Sequence, residues 1–122
     1  MAVIVYYEDA HGTKPVQEYL RGLERRAPHE KICRSRLKKI QAAIYNLEQI
    51  GYRYVLSSAR HIENVDDLWE LRPGGDRVFF FLVMRDEYVL LRAFEKKTQK
   101  TPSAEIERAR REIADYLERR NV

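Results

Sequence analysis

The residues best suited to chemistry in this chain form a basic segment, residues 94–102, which reads Phe-Glu-Lys-Lys-Thr-Gln-Lys-Thr-Pro. Its possible phosphate ligands are three lysines and two threonines: Lys96, Lys97, Lys100, Thr98 and Thr101. The surrounding pattern predicts a strand before the segment and a helix after it. Unpaired backbone N–H groups and the helix dipole favour anions at such a helix N-terminus. The segment therefore indicates a phosphate-binding site, and the competing interpretation is a solvated loop whose threonines cap the helix.

Further cations are predicted on the strands beside this segment. Arg72, Arg77 and Arg92 flank or lie within apolar runs that read as strands. Several cations on one sheet face repel one another unless an anion compensates them, which favours a polyanionic ligand. Strand alternation places Glu70 on the same face as Arg72, where it acts either as a base or as an ion-pair partner. Phe94 shares the strand face of Arg92, and an aromatic residue at a strand end is typical of packing.

The charge of the whole chain is segregated. Its 122 residues include 23 Lys and Arg against 19 Asp and Glu, a net charge of +4. Residues 31–39 contain five cations and no acid, and we predict that they lie on a helix. Lys38 and Lys39 belong to this run, and the segregation of charge favours a polyanionic partner. The alternative is a solvated helix face.

Several classes of protein are excluded or disfavoured by composition. No run of about 18 apolar residues exists, so a membrane span is not expected. The first residues lack a charged leader and a cleavage-site pattern, so we do not expect export. A lone Cys33 cannot form an internal disulfide, which suits a reducing, cytoplasmic compartment. The histidines are scattered, and no motif indicates a metal or another cofactor.

The elements that must position these residues follow from hydrophobic periodicity. We predict strands over residues 3–7, 68–72, 77–84 and 88–94, and helices over 15–26, from Pro28 to a terminating Gly51, and from 101–103 onward. Consecutive strands joined by short turns are antiparallel. The order β-α-α-β-β-β-α predicts one α+β domain over residues 1–122, with the helices packed on one face of a curved, largely antiparallel sheet. The opposite face, bearing Glu70, Arg72, Arg92 and Phe94, is then partly open to a ligand.

Three sequence features together resemble a known family. They are Leu68-Trp69-Glu70-Leu71-Arg72, then Arg77 at the head of an apolar strand with the 94–102 segment after it, then Ile106, Ala109 and Arg111 in the closing helix. This set resembles the HigB-type toxins of the RelE superfamily and its phage-derived, toxin-like branch. The resemblance is strong over residues 66–116. Earlier residues match only in element order and in the long helix.

The resemblance implies a metal-independent endoribonuclease that cuts messenger RNA in the ribosomal A site. In such enzymes the RNA 2′-hydroxyl attacks its own scissile phosphate. By this resemblance Arg72 and Arg77 clamp the phosphate, and Lys96 and Lys97 stabilise charge and move protons, with Glu70 as an alternative base. The RNA-binding residues would be Arg92, Phe94, Thr98, Lys100, Lys38 and Lys39.

RelE-type enzymes vary in their catalytic residues, and several use a His or a C-terminal Tyr. His61, upstream of the Glu-Leu-Arg strand, is a lesser candidate, whereas packing is favoured for Tyr116 in the last helix. The implied partner is a helix-turn-helix antitoxin of the HigA type, in a heterotetramer with two copies of each chain. Two alternatives remain: an inactive RNA-binding or regulatory protein on the same fold, and a toxin that acts on a replication clamp or gyrase.

Overall fold

The computed structural model describes residues 1–65, 67–84, 86–97 and 100–120. The elements in chain order are β1 Val3–Tyr6, α1 Pro15–Arg26, α2 Lys31–Ile50, α3 Tyr52–Ser58, β2 Ala59–His61, β3 Leu68–Leu71, β4 Asp76–Met84, β5 Glu87–Glu95 and α4 Ser103–Arg120. The sheet has five strands in the order β1-β5-β4-β3-β2. Only β1 and β5 are parallel among its described pairs. The predicted α+β class and largely antiparallel sheet are confirmed, and α3 and β2 are additional short elements.

The helix boundaries have local causes in the sequence. Pro15 occupies the first turn of α1, where its missing N–H costs no hydrogen bond. Gly51 ends α2 with a φ of 76°, a left-handed conformation that other residues adopt at a cost, and its N–H donates to the Leu47 carbonyl. These two ends agree with the prediction, whereas α2 begins at Lys31 rather than Pro28.

Helices cover both faces of the sheet, which corrects the prediction that one face is open. On one face, α1, α2 and α3 pack over a core that includes Val78, Phe80 and Leu90. On the other, α4 packs over a core that includes Phe79 and Phe81. The central strand β4 carries apolar side chains on both faces of the sheet, so helices must pack on each face to bury them. We call these faces the α2 side and the α4 side.

The alternation along β5 changes at a bulge. Phe80 pairs with Leu90 while Phe79 pairs with Arg92, so Leu91 is the extra residue. Val89, Leu91 and Phe94 therefore contact the α4-side core, and Ala93 packs on the α2 side. Strict alternation over the predicted strand 88–94 would place Ala93 on the face of Val89 and Leu91, but one inserted residue reverses the side-chain direction beyond it.

The buried stripe of α4 begins with Ile106, Ala109 and Ile113, which contact the α4-side core. Tyr116 completes the stripe by stacking edge-on against Phe81, in agreement with the packing predicted for it. Leu117, four residues after Ile113, is 40% exposed. Within the described ranges, no helix is long and apolar enough to cross a bilayer.

Candidate nucleic-acid interface

Five cations gather at the end of the sheet where β3 and β5 finish and β4 begins. The register places Leu71 beside Val78, and Asp76 beside Glu95, so these strand ends are adjacent. Residues at or just beyond them include Arg72, Arg77, Lys96, Lys97 and Lys100. The structure divides these cations among different surfaces instead of directing them to one point.

A hollow of about 520 Å³ lies on the α4 side, between β2 and the start of α4. We call it the α4-side hollow. Its lining includes Arg60, Lys100 and Thr101, together with one acid, Glu63. The helix begins immediately afterwards at Ser103, so the unpaired N–H groups of its first turn lie close by. Two cations beside a helix N-terminus form an arrangement suited to a phosphate group.

The wall of the α4-side hollow is supported by a buried charged pair. The Thr101 hydroxyl donates to Glu70 Oε2 at 3.2 Å. Glu70 is fully buried, and its Oε1 lies 4.0 Å from Arg77 Nε. Neither of these two facing atoms has a hydrogen bond within the described part of the chain. Glu70 therefore connects β3 to Thr101, two residues before the start of α4.

Arg77 is held by the backbone of the turn before β4. Its Nη1 donates to the carbonyls of Gly74 and Asp76, at 2.8 and 2.7 Å. The N–H of Lys96 donates to the Gly75 carbonyl at 2.8 Å, which joins the end of β5 to the same turn. Arg77 is therefore buried and fixed by the turn, and its side chain lies on the α4 side of the sheet with Glu70.

Arg92 and Phe94, predicted to bind RNA, contact α4 and the core. Arg92 Nη1 donates to Glu112 at 3.0 Å, and its Nε lies 3.4 Å from Glu105. Burial raises the pKa of Glu112 to about 7, and Arg92 partly opposes this rise. Phe94 packs edge-on against Phe79, with ring centroids 5.2 Å apart. Both residues join the sheet to α4 in this conformation.

His61 lines the rim of the α4-side hollow, but its ring lies against Trp69, with centroids 5.0 Å apart. His61 pairs with Trp69 in the β2–β3 register, and Trp69 packs on the α2 side. Arg60 pairs with Glu70 and so shares the α4 side with it. The strand β2 therefore directs Arg60, rather than His61, to the face of the hollow.

Lys97 lines a second depression, a groove of about 640 Å³ between α1 and the end of β5. We call it the α1 groove. Its wall contains Arg36, which donates to buried Asp76 at 2.9 and 3.1 Å and to the Tyr19 hydroxyl at 2.9 Å. The Tyr19 hydroxyl itself donates to Asp76 at 2.5 Å. Burial and this hydrogen bond raise the pKa of Tyr19, and the carboxylate raises the pKa of Arg36.

Arg72 is exposed beyond the end of β3 and lines a third depression, of about 350 Å³, together with Lys39. We call it the α2-side hollow, since Ala43 and Leu71 in its wall belong to the α2-side core. Lys38 is exposed on the same helix as Lys39. Thr98, the remaining predicted RNA-binding residue, lies outside the described residues.

Sequence reasoning missed Arg60 and the network of Tyr19, Arg36 and Asp76. Arg60 lies on a strand of three residues, too short to produce a periodic signal. The members of the network are distant in the chain, and Asp76 read as a turn residue. No local pattern shows that a helix and a strand bring them together.

The fold and these surfaces define a small α+β domain, with helices on both faces of a sheet and cation-lined depressions around one end of it. The chain belongs to the family of phage-derived Gp49-like proteins, whose family model matches residues 21–114. This family is associated with RelE-like and toxin-like proteins. No curated protein matches the chain significantly. Among the described residues, no group of three or more His, Cys, Asp or Glu side chains could hold a metal ion.

Proposed function

We propose that this protein is a HigB-type toxin of a type II toxin–antitoxin system, and that it cleaves messenger RNA on the ribosome. The observation that carries the proposal is the α4-side hollow, in which Arg60 and Lys100 adjoin the N-terminus of α4. The chain's membership of the Gp49-like family supports a toxin-like role. The closing helix and the two cations together suit a phosphate of an RNA chain better than a neutral ligand.

The proposed reaction uses the RNA 2′-hydroxyl as the nucleophile. Its oxygen forms a bond to the adjacent phosphorus while the bond from phosphorus to the 5′-oxygen breaks, giving a 2′,3′-cyclic phosphate and a 5′-hydroxyl. One proton leaves the 2′-oxygen and one reaches the departing 5′-oxygen. Arg60 and Lys100 would stabilise the additional charge on the phosphate oxygens in the transition state.

The predicted catalytic residues have different roles in this proposal. Arg77 stabilises the wall of the hollow through its contact with Glu70 and its hydrogen bonds to the turn carbonyls. Lys96 and Lys97, at the end of β5, stay candidates for charge stabilisation and proton transfer. Glu70 is fully buried and accepts a hydrogen bond from Thr101, so it can act as the base only after a rearrangement that exposes its carboxylate.

The proposal includes two macromolecular partners in the cytoplasm. The first is the ribosome with its messenger RNA, whose phosphates match the cationic surfaces. The second is a helix-turn-helix antitoxin of the HigA type, which would bind in a heterotetramer with two copies of each chain. Co-expression with the product of a neighbouring helix-turn-helix gene, followed by mass measurement of the purified complex, tests this arrangement. Recovery of the toxin-like chain alone contradicts it.

Induction of the chain in a bacterial host tests the function directly. We expect growth to stop, and mapping of RNA 5′ ends to show new ends within translated messages. Arg60→Ala and Lys100→Ala should relieve the arrest, because each removes a cation beside the proposed phosphate. Arg21→Ala is the matched control, since Arg21 is exposed on α1 and pairs only weakly with Glu18, 3.6 Å away.

Two results of this experiment would contradict the proposal. Normal growth with a soluble, folded chain argues against a toxin. Arrest with intact messages indicates a target other than RNA, such as a replication clamp or gyrase.

A catalytically inactive RNA-binding protein is the second candidate, and one observation favours it. Two side chains suited to proton transfer near the hollow are engaged elsewhere in this conformation: Glu70 is fully buried, and the ring of His61, at the rim, lies against Trp69. This candidate predicts salt-sensitive RNA binding without new RNA ends.

A further inference from the structure

The α2-side hollow combines cations with neutral polar groups. It lies between α2, α3 and the turn after β3, and its polar lining consists of Lys39, Asn46, Tyr54, Ser58 and Arg72. Among the described residues, no Asp or Glu lines it. Its volume of about 350 Å³ is at the small end of the range for ligand sites. The lining therefore suits one anionic group of modest size.

Lys39 and Arg72 carry charges that the protein does not neutralise locally. Within the described ranges, neither side chain has a hydrogen bond or an ion pair. Arg36, Arg77 and Arg92 differ, because each is bonded to a carboxylate or to backbone carbonyls. The two cations of the α2-side hollow are thus available to an external anion.

The turn after β3 brings these two cations together. Gly74 has a φ of +65°, a left-handed conformation that favours glycine. A Cβ atom there would lie 3.3 Å from Lys39 Cδ and 3.7 Å from its Nζ. The absence of a side chain at Gly74 therefore lets the Lys39 stem lie against the turn that follows Arg72.

The α2-side and α4-side hollows lie on opposite faces of the sheet. Leu71 in the first belongs to the α2-side core, and Ile106 in the second packs on the α4-side core. One phosphate cannot contact both. A ligand that engages both must be an extended polyanion that passes around the sheet.

We infer that the α2-side hollow binds a backbone phosphodiester of RNA at a distance from the cleaved bond. Arg72 then serves binding rather than the reaction. The inference rests on the proposed function for its choice of RNA. Asn46, Tyr54 and Ser58 add groups that can donate to phosphate oxygens or bond a ribose hydroxyl.

The α1 groove is larger but suits this role less well. Glu18 and Glu95 line it, and Arg36 in its wall is neutralised by Asp76. Arg26, also in its wall, pairs with Glu30 at 3.0 Å. Acidic groups and internal ion pairs reduce the attraction of this groove for a polyanion.

The test measures binding of a fluorescently labelled RNA hairpin to the full chain, by anisotropy, over a range of salt concentrations. Arg72→Gln and Lys39→Gln should each weaken binding and reduce the slope of log K against log salt by about 1, because each removes one phosphate contact. Arg25→Gln is the matched control, since it removes the same charge from the α1 groove. We expect it to leave the slope unchanged.

A second pair of variants avoids the cations altogether. Ala42 is exposed and lines the α2-side hollow, so Ala42→Glu introduces an acid there, while Ala42→Gln adds a neutral group of similar size. We expect Ala42→Glu to weaken RNA binding markedly more than Ala42→Gln. Circular dichroism confirms that each variant is folded.

Three results would overturn the inference: no binding of the hairpin by the unsubstituted chain, equal effects of Arg25→Gln and Arg72→Gln, or equal effects of the two Ala42 variants. The proposed function is tested separately by RNA 5′ ends after induction. Binding lost in the Arg72 and Ala42→Glu variants, with no cleavage by the unsubstituted chain, would support this site and contradict the proposed nuclease.

Discussion

At the scale of single residues, Glu70 shows how a tertiary contact changes the meaning of a sequence pattern. Strand alternation predicted Glu70 on one face with Arg72. Arg72 instead lines the α2-side hollow beyond the end of β3, whereas Glu70, paired with Phe79, lies on the α4 side. Its neighbours Thr101 and Arg77 come from other parts of the chain. A buried carboxylate is costly unless it has partners, so this cluster constrains the start of α4.

Removal of the Glu70 carboxylate should destabilise the fold. We expect Glu70→Ala to lower the free energy of unfolding by about 3 kcal/mol, because it leaves Arg77 buried without its counter-charge. Thr101→Val removes only the hydroxyl bond and should cost about 1 kcal/mol. Urea denaturation measures both changes. A Glu70→Ala variant that keeps full stability yet loses RNA cleavage would instead indicate that Glu70 is the catalytic base.

The sequence predicted where the candidate site residues lie in the fold better than it predicted which residues they contact. Alternation and the basic 94–102 segment correctly indicated a cation-rich sheet end. They could not show that Arg92 pairs with Glu105 and Glu112, because the docking of α4 is a long-range event. Arg60 had no signal at all, since its strand forms only by pairing with β3.

At the scale of elements, α4 is attached through both apolar and charged contacts. Its apolar stripe includes Ala109 and Ile113, and Glu112 lies beside them, only 9% exposed. Long, periodic elements such as α2 and α4 were predictable because their patterns are local. The bulge at Leu91 and the side of the sheet that α4 covers were not, because both depend on pairing and packing.

Glu112 should make the stability of this attachment depend on pH. Burial, against a smaller opposing effect of Arg92, raises its pKa from an ordinary 4.5 to about 7. Between these values the folded chain holds a proton that the unfolded chain has released, so stability decreases as pH rises from 4.5 to 7. Above pH 7 this loss is complete.

Replacement of Glu112 by glutamine removes this titration. We therefore expect the difference in urea midpoint between pH 5 and pH 8 to be smaller in Glu112→Gln than in the unsubstituted chain. Glu107→Gln is the control, because Glu107 is exposed on the same helix, 3.6 Å from Arg110. Parallel pH profiles for Glu112→Gln and the unsubstituted chain would show that Glu112 does not titrate in this range.

At the scale of the whole molecule, the two cores are joined by the strands between them. Phe79 and Phe80 are adjacent residues of β4 that face opposite cores. Unfolding of one face removes the support of the strands that complete the other. A domain of this size and connection is expected to unfold in one cooperative transition.

A variant on the α4 side should therefore affect a probe on the α2 side. Trp69 is the only tryptophan and packs on the α2 side, so its fluorescence reports that face. We expect Ile113→Ala to lower the free energy of unfolding by about 2 kcal/mol, from lost packing at a partly buried position. Leu117→Ala, four residues later and 40% exposed, should change it by less than about 0.5 kcal/mol.

The Trp69 fluorescence midpoint and the far-ultraviolet circular dichroism midpoint should shift together in Ile113→Ala, because the shared strands couple the faces. If the fluorescence midpoint stays fixed while the circular dichroism signal falls earlier, α4 detaches independently and the two faces are not one cooperative unit.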